Sequence, residues 1–273
     1  MVVKPEKNMN IPSVSIKQLL EAGVHLGHKT LRWNPRMKQF IYGEKNSIHI
    51  IDLTQTVVLL KSAMKEVHKC ISSGGKILIV STKKQAAETV LKLANETDQF
   101  YVNYRWLGGM LTNWQTIQNS IKRLQKLEKD LSKEDTGFTK KEILKLGKEK
   151  DKLKRSLGGI SNMNKVPDMI FIIDTNMESL AVKEAIKLKI PIVAILDSNS
   201  DPRGINFPIP GNDDARRSID LYCELLKNTI LEAKKHIVKK QIDTNVEKTK
   251  IQSEKKEVKI QKINNPSKKK NNK

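Results

Sequence analysis

The residues of this 273-residue chain best placed to do chemistry are cations gathered around an aromatic ring. From His28 to Lys38 the sequence reads H-K-T-L-R-W-N-P-R-M-K, which sets Lys29, Arg32, Arg36 and Lys38 around Trp33, with Pro35 excluding a regular helix. Fixed cations meet phosphates and position a protein on a nucleic-acid strand, while an accessible tryptophan face stacks on an unpaired base. His28 adds a hydrogen-bonding group for phosphate or base. The same residues are equally consistent with Trp33 as a core lid and the cations as a solvated rim.

Carboxylates are the second group. Asp174 closes the apolar run M-I-F-I-I-D and Asp197 closes I-V-A-I-L-D, where receiver-type domains hold a metal. A helix N-cap puts Asp in the same place, and capping is the reading favoured here. D-S-N-S-D from Asp197 to Asp201 opens like a calcium loop, yet Pro202 stands where the turn needs Gly and Pro208 where a closing Glu is required. Calcium is therefore rejected. His25 and His28 have Leu26 and Gly27 between them and no second ligand pair nearby in sequence, so no metal site is assigned. The chain has no G-x-G-x-x-G after a strand, no G-x-x-x-x-G-K-[ST] and no G-x-S-x-G, which removes the usual nucleotide-binding and hydrolase signatures. No nucleophile is accompanied by a base, so the chain reads as a non-enzyme without a cofactor.

The formal net charge is +21 and the pI about 9.8, a balance that calls for a polyanionic partner. Cys70 and Cys223 stand alone in helical patterns, as small core residues of a reducing compartment. No apolar run reaches signal-peptide or membrane-spanning length, so a cytoplasmic protein without membrane contact is expected.

The elements that must hold these residues follow from periodicity. Residues 1–14 form a loose arm, and Ser15 opens a short amphipathic helix that Gly23 and Gly27 end. Phe40 to Tyr42 and Ile48 to Ile51 flank G-E-K-N as a hairpin. A helix over Thr54–Ser72 places Val57, Val58, Leu60, Met64, Val67 and Ile71 near one face. K-I-L-I-V, Phe100 to Val102, M-I-F-I-I-D and I-V-A-I-L-D alternate with helices, which predicts a parallel sheet. Between them lies Y-R-W-L-G-G-M-L-T-N-W, a turn in which Arg105 stands beside Trp106 and Thr112 or Asn113 caps the next helix. Ile117, Ile121, Leu124, Leu127 and Leu131 then predict one helix and Ile143, Leu146, Leu153 and Leu157 a second, paired as an antiparallel hairpin. After Asp197 a loop runs to Pro210, and Asp213 or Asp214 caps a long last helix. From Lys234 onward fourteen lysines face four acids, the composition of a disordered tail. The expected organisation is an arm over 1–14, an α/β body over 15–111 and 158–240, a helical hairpin over 112–157 and a Lys-rich tail over 241–273.

Three stretches occur together and in order: A-G-V-H-L-G-H with W-N-P-R-M over Ala22 to Met37, R-W-L-G-G-M-L-T-N-W over Arg105 to Trp114, and S-N-S-D-P followed by N-F-P-I-P-G-N-D-D-A up to Ala215. They resemble the bacterial members of the universal S-two family of small-subunit ribosomal proteins, over about residues 13 to 236. The resemblance implies a flavodoxin-like doubly wound parallel sheet with an inserted helical hairpin. It also implies a non-catalytic role: binding small-subunit ribosomal RNA and helping to seat ribosomal protein S-one, with no small-molecule substrate. Matched by position, the RNA-facing candidates are Lys29, Arg32, Arg36 and Lys38 in the first motif and Arg105 and Asn113 in the second, and Trp33, read above as a stacking surface, joins them as an RNA-binding candidate. Gly211, Asn212 and Asp213 match the third, where a turn and cap explain them. The Lys-rich tail is not covered by the resemblance.

Overall fold

Three of the apolar runs are buried at every position, as strands covered on both faces must be. In the computed structural model, which describes residues 12–132 and 139–236, these are β4 (Ile77–Val80), β6 (Met169–Ile173) and β7 (Ile192–Leu196). With β5 (Phe100–Val102) and β8 (Phe207–Pro210) at the edges they form a parallel five-stranded sheet in the order β5-β4-β6-β7-β8. Numbered among themselves these strands run 2-1-3-4-5, the flavodoxin-like order. The loop expected after Asp197 thus ends in a strand. Pro208 and Pro210 hid it, because proline weakens a strand pattern, and an edge strand tolerates proline where a central one does not.

Alternate residues feed two cores. Ile77, Ile79, Phe171, Ile173, Val193 and Ile195 meet α1 (Ile16–Glu21), α2 (Leu53–Ser72), α3 (Lys84–Thr97) and a last helix, α7, helical over 216–236. Leu78, Val80, Ile170, Ile172, Ala194 and Leu196 face α6 (Ser179–Leu188), the base of the α4 (Trp114–Leu131) and α5 (Lys140–Leu157) pair, and Met37 and Phe40 from the cation loop. Each fully buried Ile, Leu, Val or Phe is worth roughly 1.5–3 kcal/mol of transfer energy, so the two clusters supply the main driving force. Cys223 is buried and Cys70 packs beside the first cluster, both as free thiols.

Several local expectations are corrected. Gly23, at φ 78°, ends α1, but Gly27 lies inside a further strand, β1 (Leu26–Lys29). That strand joins β2 (Ile41–Lys45) and β3 (Ile48–Ile51) in an antiparallel sheet ordered β1-β3-β2. The hairpin turns at Asn46 and Ser47, both at positive φ, in the manner of a two-residue turn that matches strand twist, so Gly43 belongs to β2. On α2, Val58 is exposed while Thr56 and Ala63 are buried, because the core-facing arc runs through Leu53, Thr56, Leu60, Ala63, Met64, Val67 and Ile71 and leaves position 58 on the far side. The α4 stripe Ile117, Ile121, Leu124 and Leu127 is buried, whereas on α5 only Leu157 is fully buried and Ile143 is exposed. Residues 1–11, 133–138 and 237–273, which take in most of the predicted arm, D-T-G-F and the Lys-rich tail, lie outside the described residues.

Candidate nucleic-acid interface

The cation loop is two 3-10 turns, Thr30–Arg32 and Pro35–Phe40, with the Asn34 side chain accepting from the Arg36 amide. It is seated on the loop after β7. The His28 amide donates to Ser198 Oγ at 2.8 Å, and the Asn34 amide donates to the Ser198 carbonyl at 2.8 Å. Gly27 makes this possible: a Cβ there would stand 2.9 Å from Ser198 Oγ and 3.1 Å from the His49 carbonyl. Met37 and Phe40 anchor the loop from below.

Lys29, Arg32, Arg36 and Lys38 all reach solvent. Among the described residues Lys29, Arg32 and Lys38 have no carboxylate partner, whereas Arg36 Nη1 lies 3.2 Å from Asp201 Oδ2, which Arg203 also holds. Trp33 is half-buried, its ring centroid 5.1 Å from that of His49, so its face is partly taken. The accessible aromatic of this sheet is Tyr42, 82% exposed on β2, which the sequence pattern does not single out because a Tyr in a short strand reads as core.

The second motif is built around a residue that sequence reasoning missed. Glu184 of α6 is 9% exposed, and its carboxylate accepts from five donors. Trp106 Nε1 (3.1 Å) and the Gly109 amide (2.8 Å) donate to Oε1; the Leu111 amide (2.9 Å), the Thr112 amide (3.0 Å) and the Thr112 hydroxyl (3.1 Å) donate to Oε2. Burial works to raise the Glu184 carboxyl, yet the Thr112 amide, the Trp106 indole and the Leu111 and Gly109 amides together hold it below its usual range. Trp106 is thus a buried donor to Glu184, and the cation found over a ring is Lys76 above Phe100 instead of Arg105 above Trp106. Arg105 and Asn113 are both exposed. Asn113 occupies the N-cap position of α4, where its Oδ1 accepts from the Thr116 hydroxyl at 2.9 Å. Met37, Phe40, Trp106, Met110 and Leu111 share one buried cluster, which ties the two motifs together under the surface.

Of the strand-end carboxylates, Asp174 is cap-like, and both Asp174 and Asp197 enter ion pairs. Asp174 Oδ1 accepts from the Asn176 and Met177 amides, a cap-like arrangement, while Oδ2 lies 2.8 Å from Lys83 Nζ. Lys83 also reaches Asp213 Oδ1 at 2.7 Å and Asp214 Oδ1 at 2.6 Å. Asp213 and Asp214 therefore do not cap α7; the Asn212 side chain accepts from the Asp214 and Ala215 amides. His28 Nδ1 meets Asp197 Oδ2 at 3.0 Å and Nε2 meets Asp214 Oδ2 at 3.3 Å. The hydrogen bond to Asp197 raises the His28 pKa, against the lowering effect of burial. Burial, with Asp174 and Asp197 beside it, raises Asp213 to about 7. Burial lowers the Lys83 pKa, but Asp213, Asp174 and Asp214 outweigh it and hold the ammonium above the usual lysine range.

One ligand atom from each of His28, Asp197, Asp213 and Asp214 lies within 4.8 Å of the others, so these four are the described residues able to hold a cation. They come from three separate places in the chain, His28, Asp197 and the adjacent Asp213 and Asp214, which is why spacing did not reveal them. Lys83 already supplies a positive charge at this cluster, and the nearby buried Glu178 accepts from the Thr82 amide at 2.6 Å.

A flavodoxin-like body with Lys83 held among Asp174, Asp213 and Asp214 at its strand ends, and with a cation-bearing rim beside them, defines the class of α/β protein to which the chain belongs. Comparison with known proteins agrees: the family model described as Ribosomal protein S2 matches residues 19–233. The chain is 57% identical over 224 residues to the small ribosomal subunit protein uS2 of Acidiphilium cryptum, covering 82% of this chain and 88% of that one. It is 58% identical over the same length to that of Brucella suis, with the same coverage. The chain belongs to the ribosomal protein S2 family and is a structural component of the small ribosomal subunit. No helix among the described residues is long and apolar enough to cross a membrane.

Proposed function

We propose that this protein binds small-subunit ribosomal RNA through the cation loop and the exposed end of the R-W-L-G-G segment. The observation that carries the reading is the set of exposed cations Lys29, Arg32 and Lys38, without a carboxylate partner among the described residues, on a loop anchored from beneath by Met37 and Phe40. Pre-positioned charges reach phosphate without first breaking an ion pair. Arg105 and Asn113 extend the binding surface, and their loop is fixed by Glu184. The fourteen lysines from Lys234 onward support additional, sequence-independent binding of phosphates. The family resemblance supports a second element, in which the protein helps to seat ribosomal protein S-one on the small subunit.

The test is filter binding of the full chain to small-subunit RNA across a salt series. Every phosphate that the protein no longer neutralises lowers the slope of log K against log salt by roughly 0.7–0.9. Arg32→Ala lowers it by that amount, and Arg36→Ala by less, because Arg36 is already shared with Asp201. Equal slopes for Arg32→Ala and wild type move the binding face elsewhere. Removal of Lys240 to Lys273 lowers both affinity and slope; unchanged values refute a role for the tail. For the second element, small subunits assembled without this protein carry less S-one, and an unaltered S-one content refutes it.

A further inference from the structure

A cleft of about 270 Å³ lies between the end of β5 and the base of α5, lined by Tyr104, Lys148, Asp151, Lys152 and Arg155. Tyr104 is 58% exposed there, an aromatic ring spent on the surface instead of in either core. Lys148, Asp151, Lys152 and Arg155 follow the i, i+3, i+4, i+7 spacing of one helical face. None of these four has an ion-pair partner among the described residues, although Asp151 and Arg155 stand at a spacing that often pairs. The neighbouring Glu149, by contrast, pairs with Arg123 of α4 at 3.1 Å, so the hairpin satisfies its inner charges and leaves this face unsatisfied.

Both walls are fixed. The Asn103 side chain donates to the Ala87 carbonyl at 3.0 Å, which holds the Tyr104 loop on α3. Gly159, just past α5, packs directly on the Tyr101 carbonyl and ring, where any Cβ would collide. The volume falls just short of the roughly 300 Å³ at which pockets for drug-sized molecules begin, so the cleft suits one flat group.

We propose that this cleft seats a single unpaired nucleotide of RNA, with a preference for guanine. The base stacks on Tyr104, as bases do on exposed aromatic rings in single-strand readers. Lys148, Lys152 and Arg155 neutralise the flanking phosphates. Asp151 sets the preference: its two oxygens accept from the adjacent N1–H and N2–H of guanine. Uracil offers one N–H between two carbonyls that repel a carboxylate. The proposal rests on the RNA-binding reading above but uses none of the residues on which that reading stands.

The test is fluorescence anisotropy of labelled pentaribonucleotides UUGUU and UUUUU with the full-length protein. Wild type binds UUGUU more tightly than UUUUU. Tyr104→Ala weakens UUGUU by about tenfold or more, the loss of one base stack, while Tyr104→Phe retains the affinity. Asp151→Asn removes the preference for guanine without weakening UUUUU. Both side chains are exposed, and unchanged melting curves confirm that the variants fold. Wild-type affinity in Tyr104→Ala, or equal binding of the two pentamers by wild type, overturns the proposal. If wild type binds neither pentamer yet binds small-subunit RNA with a slope that Arg32→Ala lowers, the seat is wrong and the broader reading stands. If wild type binds no RNA at all, both fall.

Discussion

Replacement of Glu184 by Gln tests whether one buried carboxylate holds the R-W-L-G-G-M-L-T segment in shape. The two side chains are nearly isosteric, so packing is retained and the change is electrical. Gln keeps one carbonyl oxygen, best directed at the three donors of Leu111 and Thr112, and turns its NH₂ toward the Trp106 indole and the Gly109 amide. Two donors then face a donor. A hydrogen bond to a charged acceptor is worth about 1.5–3 kcal/mol, so losing two costs about 3–6 kcal/mol at neutral pH. That is a large part of the ~5–15 kcal/mol by which a domain is stable, and at ~2–4 °C per kcal/mol it lowers Tm by roughly 6–24 °C.

The carboxyl is held below its usual range in the folded protein. Its contribution is therefore fully present above the unfolded carboxyl pKa, about 4.3, and is lost as pH falls through the lower folded value. Urea unfolding followed by tryptophan fluorescence at neutral and acidic pH reads both effects. The gap between wild type and Glu184→Gln is wide at neutral pH and closes in acid, where a protonated Glu184 resembles Gln. A gap under about 0.5 kcal/mol at neutral pH, or one that persists unchanged into acid, would refute the reasoning.

Other outcomes follow from the same structure. Lys83→Met leaves Asp174, Asp213 and Asp214 without their shared cation and destabilises by about 3–5 kcal/mol; denaturant midpoints within error of wild type would contradict this. His28→Ala removes the ring that bridges Asp197 and Asp214. Because the folded His28 pKa is raised, its stabilisation is complete below about 6.5 and is lost as pH rises through the folded value, so wild type and variant converge in alkali. Divergence there would reverse the assignment. Gly27→Ala forces the N-terminal sheet off Ser198 at about 1–3 kcal/mol, seen as a lower Tm and weaker RNA binding together; an unchanged Tm with unchanged binding would show that the close approach gives way freely.

The core was open to sequence reading wherever burial was two-sided. β4, β6 and β7 are continuous apolar runs because both faces of a central parallel strand are covered, and at four or five residues between helical patterns they are too short for helices of their own. α4 was equally legible, since its stripe is deeply buried. β8 was hidden by Pro208 and Pro210, and β1 by Gly27, which reads as a helix stop until Ser198 is seen beside it.

The candidate site divides along the same line. Composition and local order alone determined that this is an α/β protein with a helical pair, strongly basic, carrying cations around Trp33 and lacking any nucleotide-loop or nucleophile signature. Those properties depend on residue type and near-neighbour spacing. Which charges are free was decided only by the tertiary structure. Arg36 is partnered by Asp201, 165 positions away, and His28 by Asp197 and Asp214, while Arg32 has no partner among the described residues. Glu184 reads as a solvated helix position until the chain brings five donors to it from more than seventy residues upstream. Ion pairs and buried hydrogen bonds act over a few ångströms of space, and the sequence orders residues only along the chain.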